Sequence, residues 1–212
     1  MGIETMEQLT LFLDKEEQLP VEYQPNFLTT QEADSLLQYC LALQWQQNKI
    51  KMRGATMLVP RQEYTAGDRG CTYRYSRSVV LEPTPWCPTL LNLRQRVEQA
   101  TEFKFQIVIG NLYRTDSNSI DWHADQDSVM GSQPAIASIS RGHQRKFQIR
   151  KKQKGSKIHD FWLTHGSLLL MRPGCQQAYK HQVPKTNKSV GVRVNLTFRP
   201  HLGGINGINA RF

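Results

Sequence analysis

Short apolar segments separated by turn signals fill the second half of the chain, and they constrain its fold more than any other feature. Phe105, Ile107 and Ile109 recur at every second position, and further segments follow at 135–139, 146–149, 167–171, 178–183 and 191–198. Gly, Asn, Asp and Pro, the residues that favour turns, lie between these segments. Six or more short strands at such spacing predict an antiparallel sandwich or a jelly roll.

Two helices are predicted before the strands. Thr29 and Glu32 form a capping-box pattern at the start of a segment, about 30–46, whose apolar residues recur at helical spacing. Pro88 suits the first position of a second helix at about 88–100. We therefore predict an α+β, mainly β fold in which these N-terminal helices pack outside the strand core.

The length of 212 residues is enough for one domain with a buried core. We expect a lead-in at 1–25, a single domain at 26–201 with its strand core at about 103–200, and a tail at 202–212. Residues 49–82 differ from the rest because they are rich in Arg, Gly, Thr and Tyr. Interleaved basic and aromatic side chains predict a surface that stacks on bases and binds phosphates, or else an ordinary two-stranded ribbon.

Charge and composition indicate the class of partner. Lys and Arg outnumber Asp and Glu by 27 to 18, a net charge of +9, which favours a polyanionic partner, nucleic acid first. No stretch of apolar residues is long enough to suggest a membrane partner. The four cysteines lie far apart without a C-x-x-C pair, so we expect a reducing compartment, a bacterial-type cytoplasm or a nucleus.

A candidate metal site follows from three residues. In His123-Ala124-Asp125 the imidazole and the carboxylate are two positions apart, so on a strand they face the same side. His181, on a later predicted strand, supplies a second imidazole. Two histidines and one carboxylate form the facial triad of non-haem Fe(II) oxygenases, although zinc could occupy the same ligands.

The last predicted strand carries an unusual row of polar residues. Alternation places four of them on one face, away from Val194, Leu196 and Phe198. They are Arg193, Asn195, Thr197 and Arg199. Inward polar groups are costly unless they are satisfied, and two arginines suit the two ends of a small dicarboxylate. The alternative is an edge strand with one wet face.

These motifs together resemble the AlkB family of Fe(II)/2-oxoglutarate-dependent nucleic-acid dealkylases. The resemblance rests on Asn111-Leu112-Tyr113, on the H-x-D motif with Asp127 behind it, on His181 and on the R-x-N-L-T-F-R run at 193–199. It implies a double-stranded β-helix (jelly roll) core with a nucleotide-recognition lid at about 49–82. It also implies oxidative demethylation of bases such as 1-methyladenine and 3-methylcytosine in DNA, with RNA left open, and release of formaldehyde.

The resemblance assigns roles to individual residues. The iron ligands and catalytic residues would be His123, Asp125 and His181; the 2-oxoglutarate-binding residues would be Asn111, Tyr113, Arg193, Asn195, Thr197 and Arg199; and the substrate-binding residues would be Tyr73, Tyr75, Asp127, Arg53 and Arg61. Fe(II), 2-oxoglutarate and O₂ are the implied cofactor and cosubstrates.

Further expectations concern the substrate. Family members that act on duplex DNA carry an apolar wedge in the lid, whereas the comparable position here lies near Arg53, with Met52 and Met57 as alternatives. We therefore expect alkylated single-stranded DNA as the preferred partner, and a monomeric enzyme. Two other functions stay open: a 2-oxoglutarate oxygenase that acts on a modified RNA or a protein side chain, and a non-catalytic reader of modified nucleic acid.

Overall fold

Two antiparallel sheets form the core of the protein. The computed structural model describes residues 19–52, 54–76 and 79–203, without the side chains of residues 51, 52, 75 and 76. In spatial order, the large sheet contains β1 (Val21–Gln24), β12 (Ser167–Met171), β9 (Ile136–Gly142), β14 (Arg193–Arg199), β7 (Ile107–Tyr113) and β4 (Gln62–Gly67). The small sheet contains β11 (His159–Leu163), β10 (Arg145–Lys151), β13 (Tyr179–Val183) and β8 (Ile120–His123).

The two sheets pack face to face. Ile136, Leu169 and Met171 of the large sheet form one buried cluster with side chains of the small sheet, among them Phe147 and Ile149. From β7 to β10 the chain alternates between the sheets, and it does so again from β11 to β14. This order of strands is that of a jelly roll, so the predicted fold class is confirmed.

Helices cover the outer face of the large sheet. They are α1 (Thr30–Leu41) and α2 (Pro88–Thr101), while a third, α3 (Cys175–Ala178), is a single turn before β13. Leu36 of α1 and Leu90 of α2 belong to the same buried cluster as Val194 and Leu196 of β14. Because the helices take up the apolar side of β14, its polar side must face the interior between the sheets.

Two hairpins complete the described part of the chain. One pairs β2 (Lys49–Met52) with β3 (Ala55–Leu58), and the other pairs β5 (Tyr73–Ser76) with β6 (Val79–Leu81). Both lie in the predicted lid segment, but the strand between them, β4, is an edge strand of the large sheet. The segment predicted as a lid therefore contains two separate hairpins, and the core reaches back into residues 49–82.

Other boundaries also differ from those predicted. The capping box at Thr29 is present, but α1 ends at Leu41 instead of residue 46. Strand β1 lies within the predicted lead-in of residues 1–25, where Pro20 and Pro25 bracket a strand too short to show a pattern. Strands β8 and β11 were not predicted, because neither contains a continuous apolar run. Among the described residues, no helix has the length and apolar character needed to cross a bilayer.

Glu98 ties helix α2 to the start of strand β7. Its carboxylate accepts hydrogen bonds from Arg94 Nε at 3.0 Å, from Lys104 Nζ at 3.0 Å and from the backbone N–H of Phe105 at 2.9 Å. Burial alone raises the pKa of this carboxyl, but the three donors outweigh it and hold the pKa below its ordinary value. The contact fixes the strand that carries two candidate site residues, Asn111 and Tyr113.

We expect the substitution Glu98→Gln to lower the free energy of unfolding at pH 7 by about 1–2 kcal/mol, the range for charge-assisted bonds at a partly screened site. Because the pKa of Glu98 is depressed in the folded state, this stability is present above the unfolded pKa, about 4.3, and is lost as pH falls further. Urea unfolding of wild type and variant at pH 7 and pH 3 measures the difference. Glu102→Gln, at an exposed carboxyl nearby, is the control; an equal loss in both variants would contradict the prediction.

Candidate active site

The two predicted histidine ligands face each other across a strand pair. His123 is the last residue of β8, and its register partner on β13 is His181. The centres of the two rings are 4.3 Å apart. Asp125 lies two residues beyond the end of β8, with its Oδ1 4.0 Å from His123 Nε2 and its Oδ2 3.8 Å from His181 Nε2. One donor atom from each residue lies within 4.8 Å of the others, a spacing that suits a single ion.

Neighbouring groups hold these three side chains in place. The Nδ1 of His123 lies 2.7 Å from the carbonyl oxygen of Asp121, which leaves Nε2 directed inward. The ring of Phe147 stacks on that of His181 with centres 5.3 Å apart. The backbone N–H of Asp125 donates to Gln176 Oε1 at 2.9 Å. Such supports are typical of metal ligands, whose orientation depends on outer contacts.

Burial and charge keep His181 and Asp125 in the ionisation states that a metal requires. Burial lowers the pKa of His181 to about 3, and His123 adds to this effect, so the imidazole is neutral at pH 7. Burial would raise the pKa of Asp125, but Arg199 and the two histidines hold it well below its usual range. A neutral imidazole beside an ionised carboxylate is the form that coordinates a cation.

The polar face of β14 lies buried next to this triad. All four residues of the predicted row, Arg193, Asn195, Thr197 and Arg199, are less than 10% exposed. Asn195 donates from Nδ2 to Thr197 Oγ1 at 2.7 Å, and Arg193 Nη2 donates to Asn195 Oδ1 at 3.1 Å. Arg199 Nη2 donates to Asp125 Oδ1 at 3.2 Å, which joins this row to the triad.

Both arginines keep buried N–H groups free for a ligand. Within the described part of the chain, Nε and Nη1 of Arg193 and of Arg199 have no hydrogen-bond partner. Leaving buried donors unsatisfied is costly, so this pair of guanidiniums fits an anion with a carboxylate at each end. A small cavity between the sheets is lined by both arginines, by Asn111 and by Tyr113. The donor set therefore fits Fe(II) together with 2-oxoglutarate.

A larger cavity of about 390 Å³ opens beside the triad, and predicted substrate residues line it. Tyr73 is buried in its wall, with the guanidinium carbon of Arg199 5.2 Å from the ring centre. Burial and the nearby Asp125 raise the pKa of the Tyr73 hydroxyl, so it stays protonated. Half-buried Asp127 accepts from the backbone N–H groups of Arg74 at 3.1 Å and Val129 at 3.2 Å.

The remaining predicted substrate residues differ in their placement. Arg61 lines the same cavity, but its Nε donates to Asn111 Oδ1 at 2.7 Å and its Nη2 to Glu63 Oε1 at 2.8 Å. This guanidinium is therefore engaged within the protein. Tyr75 lies on β5 with its side chain outside the described part, and Arg53 lies outside the described residues altogether.

Several residues that shape the site were not predicted as part of it. Ser140 Oγ accepts from Arg193 Nη2 at 2.9 Å, and Ser138 Oγ donates to Asn195 Oδ1 at 2.8 Å. Their two-residue spacing on β9 was visible in the sequence and could have identified them. Phe147 and Gln176 had no such signal, because only the folded chain brings them to the triad.

Comparisons with known proteins agree with this geometry. The family model described as the 2OG-Fe(II) oxygenase superfamily matches residues 20–199. The chain is 38% identical over 185 residues to the alpha-ketoglutarate-dependent dioxygenase alkB homolog 3 of Homo sapiens, covering 82% of this chain and 64% of that protein. It is 35% identical over 158 residues to the DNA oxidative demethylase ALKBH2 of Mus musculus, covering 71% of this chain and 66% of that protein.

A solved structure shows the same fold. OsALKBH1 superposes with a TM-score of 0.59 at 15% identity, covering 86% of this chain and 98% of that one. The chain spans about 64% of the length of the alkB homolog 3 proteins that it matches. The description of the family model names both 2-oxoglutarate and Fe(II), which confirms the predicted cofactor and cosubstrate at the level of the family. The chain belongs to the 2OG-Fe(II) oxygenase superfamily and, within it, to the AlkB family.

Proposed function

We propose that this protein is an Fe(II)- and 2-oxoglutarate-dependent dioxygenase that removes methyl groups from alkylated nucleobases in DNA, with RNA as a second substrate class. The observation that carries the proposal is the convergence of two imidazoles and a carboxylate beside two buried guanidiniums with free N–H groups. A relative named as a DNA oxidative demethylase supports the choice of nucleic acid. So does the net charge of +9.

In this proposal His123, Asp125 and His181 hold the iron. Arg193 binds the distal carboxylate of 2-oxoglutarate, and Arg199 lies towards its keto-acid end. Asn111, Tyr113, Asn195 and Thr197 complete that pocket. When bound, Fe(II) with 2-oxoglutarate and O₂ supplies the oxidation that converts the N-methyl group to N-hydroxymethyl, while 2-oxoglutarate becomes succinate and CO₂.

Oxidation is required because a methyl group on a ring nitrogen has no route for direct hydrolysis at neutral pH. The hydroxymethyl product is a hemiaminal, which releases formaldehyde and restores the base. The residues of the large cavity have to hold the base with its methyl group directed at the triad. Asp127 and Tyr73 suit this task because 1-methyladenine and 3-methylcytosine are cationic, and both a carboxylate and an aromatic face attract a cation.

The other predicted substrate residues have supporting parts in the proposal. Tyr75, on β5, and Arg53, next to Met52 in the sequence, would contact the flipped nucleotide or its phosphates. Arg61 would shape the cavity through its bonds to Asn111 and Glu63. We propose that residues 26–201, extended by strand β1, act as one domain and that the enzyme is a monomer. Its four free cysteines are consistent with a bacterial-type cytoplasm or a nucleus.

We predict that His123→Ala abolishes turnover while leaving oligonucleotide binding intact, because the imidazole is needed for the metal and not for the fold of the cavity. Formaldehyde release from a 1-methyladenine oligonucleotide measures turnover, and gel shift measures binding. His143→Ala, at a histidine outside the triad, is the control. Wild-type protein that binds the lesion without releasing formaldehyde would favour a non-catalytic reader instead.

For 2-oxoglutarate binding, Arg193→Lys should raise the KM for 2-oxoglutarate about 10- to 100-fold, since a lysine cannot form the paired bonds of a guanidinium. Arg141→Lys is the matched control, because Arg141 is also fully buried but belongs to neither cavity. Steady-state kinetics with varied 2-oxoglutarate give the KM, and thermal melting corrects for lost stability. An unchanged KM in Arg193→Lys would contradict the assignment.

We predict faster repair of single strands than of duplexes. In the sequence, Arg53-Gly54 stand between the paired Met52 and Ala55, and neither offers an apolar side chain to fill the gap of a flipped base. Turnover of one 3-methylcytosine in matched single- and double-stranded oligonucleotides tests this. Arg53→Phe should narrow the difference, whereas a clear duplex preference of the wild type would refute the prediction.

A further inference from the structure

The positive charge of the chain is concentrated on three of the four strands of the small sheet and on their loops, whereas the fourth strand, β8, carries the acidic Asp121. Residues 143–163 and 179–190, which contain strands β10, β11 and β13 with their loops, carry ten Lys and Arg and only one acidic residue, Asp160. Their net charge of +9 equals that of the whole chain, so the remaining residues are balanced, with 17 basic and 17 acidic side chains. A field of one sign on one face is the electrostatic mark of a polyanion-binding surface.

Alternation along the strands places part of this charge on the outer face of the small sheet. Phe147 and Ile149 of β10 are buried against the large sheet, so Lys146 before them and Arg150 after them face outward. On β13, Lys180 faces outward beside Arg150, its register partner. In the described part of the chain, no helix packs on this face, unlike the outer face of the large sheet.

Two tryptophans stand at opposite edges of the same face. Trp162 on edge strand β11 is 50% exposed, and Lys146 Nζ lies 5.2 Å from its ring centre. Lys146 Nζ also donates to Asp160 Oδ2 at 2.6 Å, so its charge is partly neutralised and its main contact on this face is with the Trp162 ring. Trp122 on β8 lines the large cavity, and the guanidinium of Arg150 lies 4.4 Å above its ring.

We propose that the outer face of the small sheet binds the single strand that flanks the target nucleotide, with Trp162 stacking on a base and Lys180 and Arg150 contacting phosphates. This inference rests on the proposed function, because that function places the target nucleotide at the triad. The surface itself is defined only by its basic residues and its exposed aromatic side chain. Exposed aromatics among basic side chains on a sheet are the usual means of binding single strands without sequence preference.

The dimensions of the face set the length of strand that it can hold. From β8 at the cavity to β11 at the far edge there are three strand spacings, about 14 Å at ~4.8 Å each. At ~3.4 Å per nucleotide in a stacked strand, this distance corresponds to about four nucleotides on one side of the target. Trp162 should therefore contribute to binding only when the strand extends about four nucleotides from the target nucleotide, and only on one side of it.

The test is binding of unmodified, labelled oligothymidylate of about 20 nucleotides, followed by fluorescence anisotropy without iron or 2-oxoglutarate. Trp162→Ala should weaken binding about 5- to 20-fold, while Trp162→Phe retains most of it, because stacking on a base requires an aromatic ring. Lys180→Gln should reduce the slope of log K against log salt by about 0.7, the loss of one phosphate contact. Lys104→Gln, on the far side of the protein at the end of α2, should leave the slope unchanged.

A second measurement connects the surface to turnover. With a methylated base near one end or the other of the oligonucleotide, Trp162→Ala should raise the KM for one orientation only and leave kcat unchanged. Equal affinity of Trp162→Ala and wild type for oligothymidylate would overturn the proposal. If oligothymidylate binding responds as expected but no methylated substrate is turned over, the proposed function fails while the binding surface stands.

Discussion

The hydrogen bond between Arg199 and Asp125 joins the two halves of the candidate active site. Asp125 follows the edge strand of the small sheet, and Arg199 ends the central β14 of the large sheet, so their contact at 3.2 Å crosses the interior of the jelly roll. It lowers the pKa of Asp125, the carboxylate proposed to bind the metal, and it orients Arg199, the arginine proposed to bind the keto acid. Because both groups are buried, separating them would leave an uncompensated charge, which typically costs several kcal/mol.

Features that depend on local periodicity were predictable from the sequence. The two-residue alternation of β14 predicted one polar face and one apolar face, and the capping box predicted the start of α1. The H-x-D motif predicted that its two residues share a strand face, but only His123 lies on β8, and Asp125 follows the end of that strand. His181 was harder to assign, because the only local signal was that it lies on a later predicted strand. In the structure, the strand register brings it directly opposite His123.

Features that depend on tertiary contacts were not predictable in this way. Strands β8 and β11 have exposed or half-exposed residues on both faces, so their sequences lack the apolar run of a buried strand. Arg61 was predicted to bind the substrate. Its hydrogen-bond partner Asn111 lies 50 positions away in the sequence and is brought to it only by the pairing of β4 with β7. The lysines and arginines of the small sheet are scattered in the sequence. Only the pairing of β10, β11 and β13 brings them together on one sheet.

Asp127 has one more consequence for how the enzyme would handle its substrate. The same carboxylate that is proposed to attract a cationic base also accepts the backbone N–H of Arg74, at the root of the β5–β6 hairpin. A cationic base that contacts this carboxylate would compete with its hydrogen bond to the hairpin. Binding of the damaged base and the position of this hairpin would therefore be linked through a single side chain.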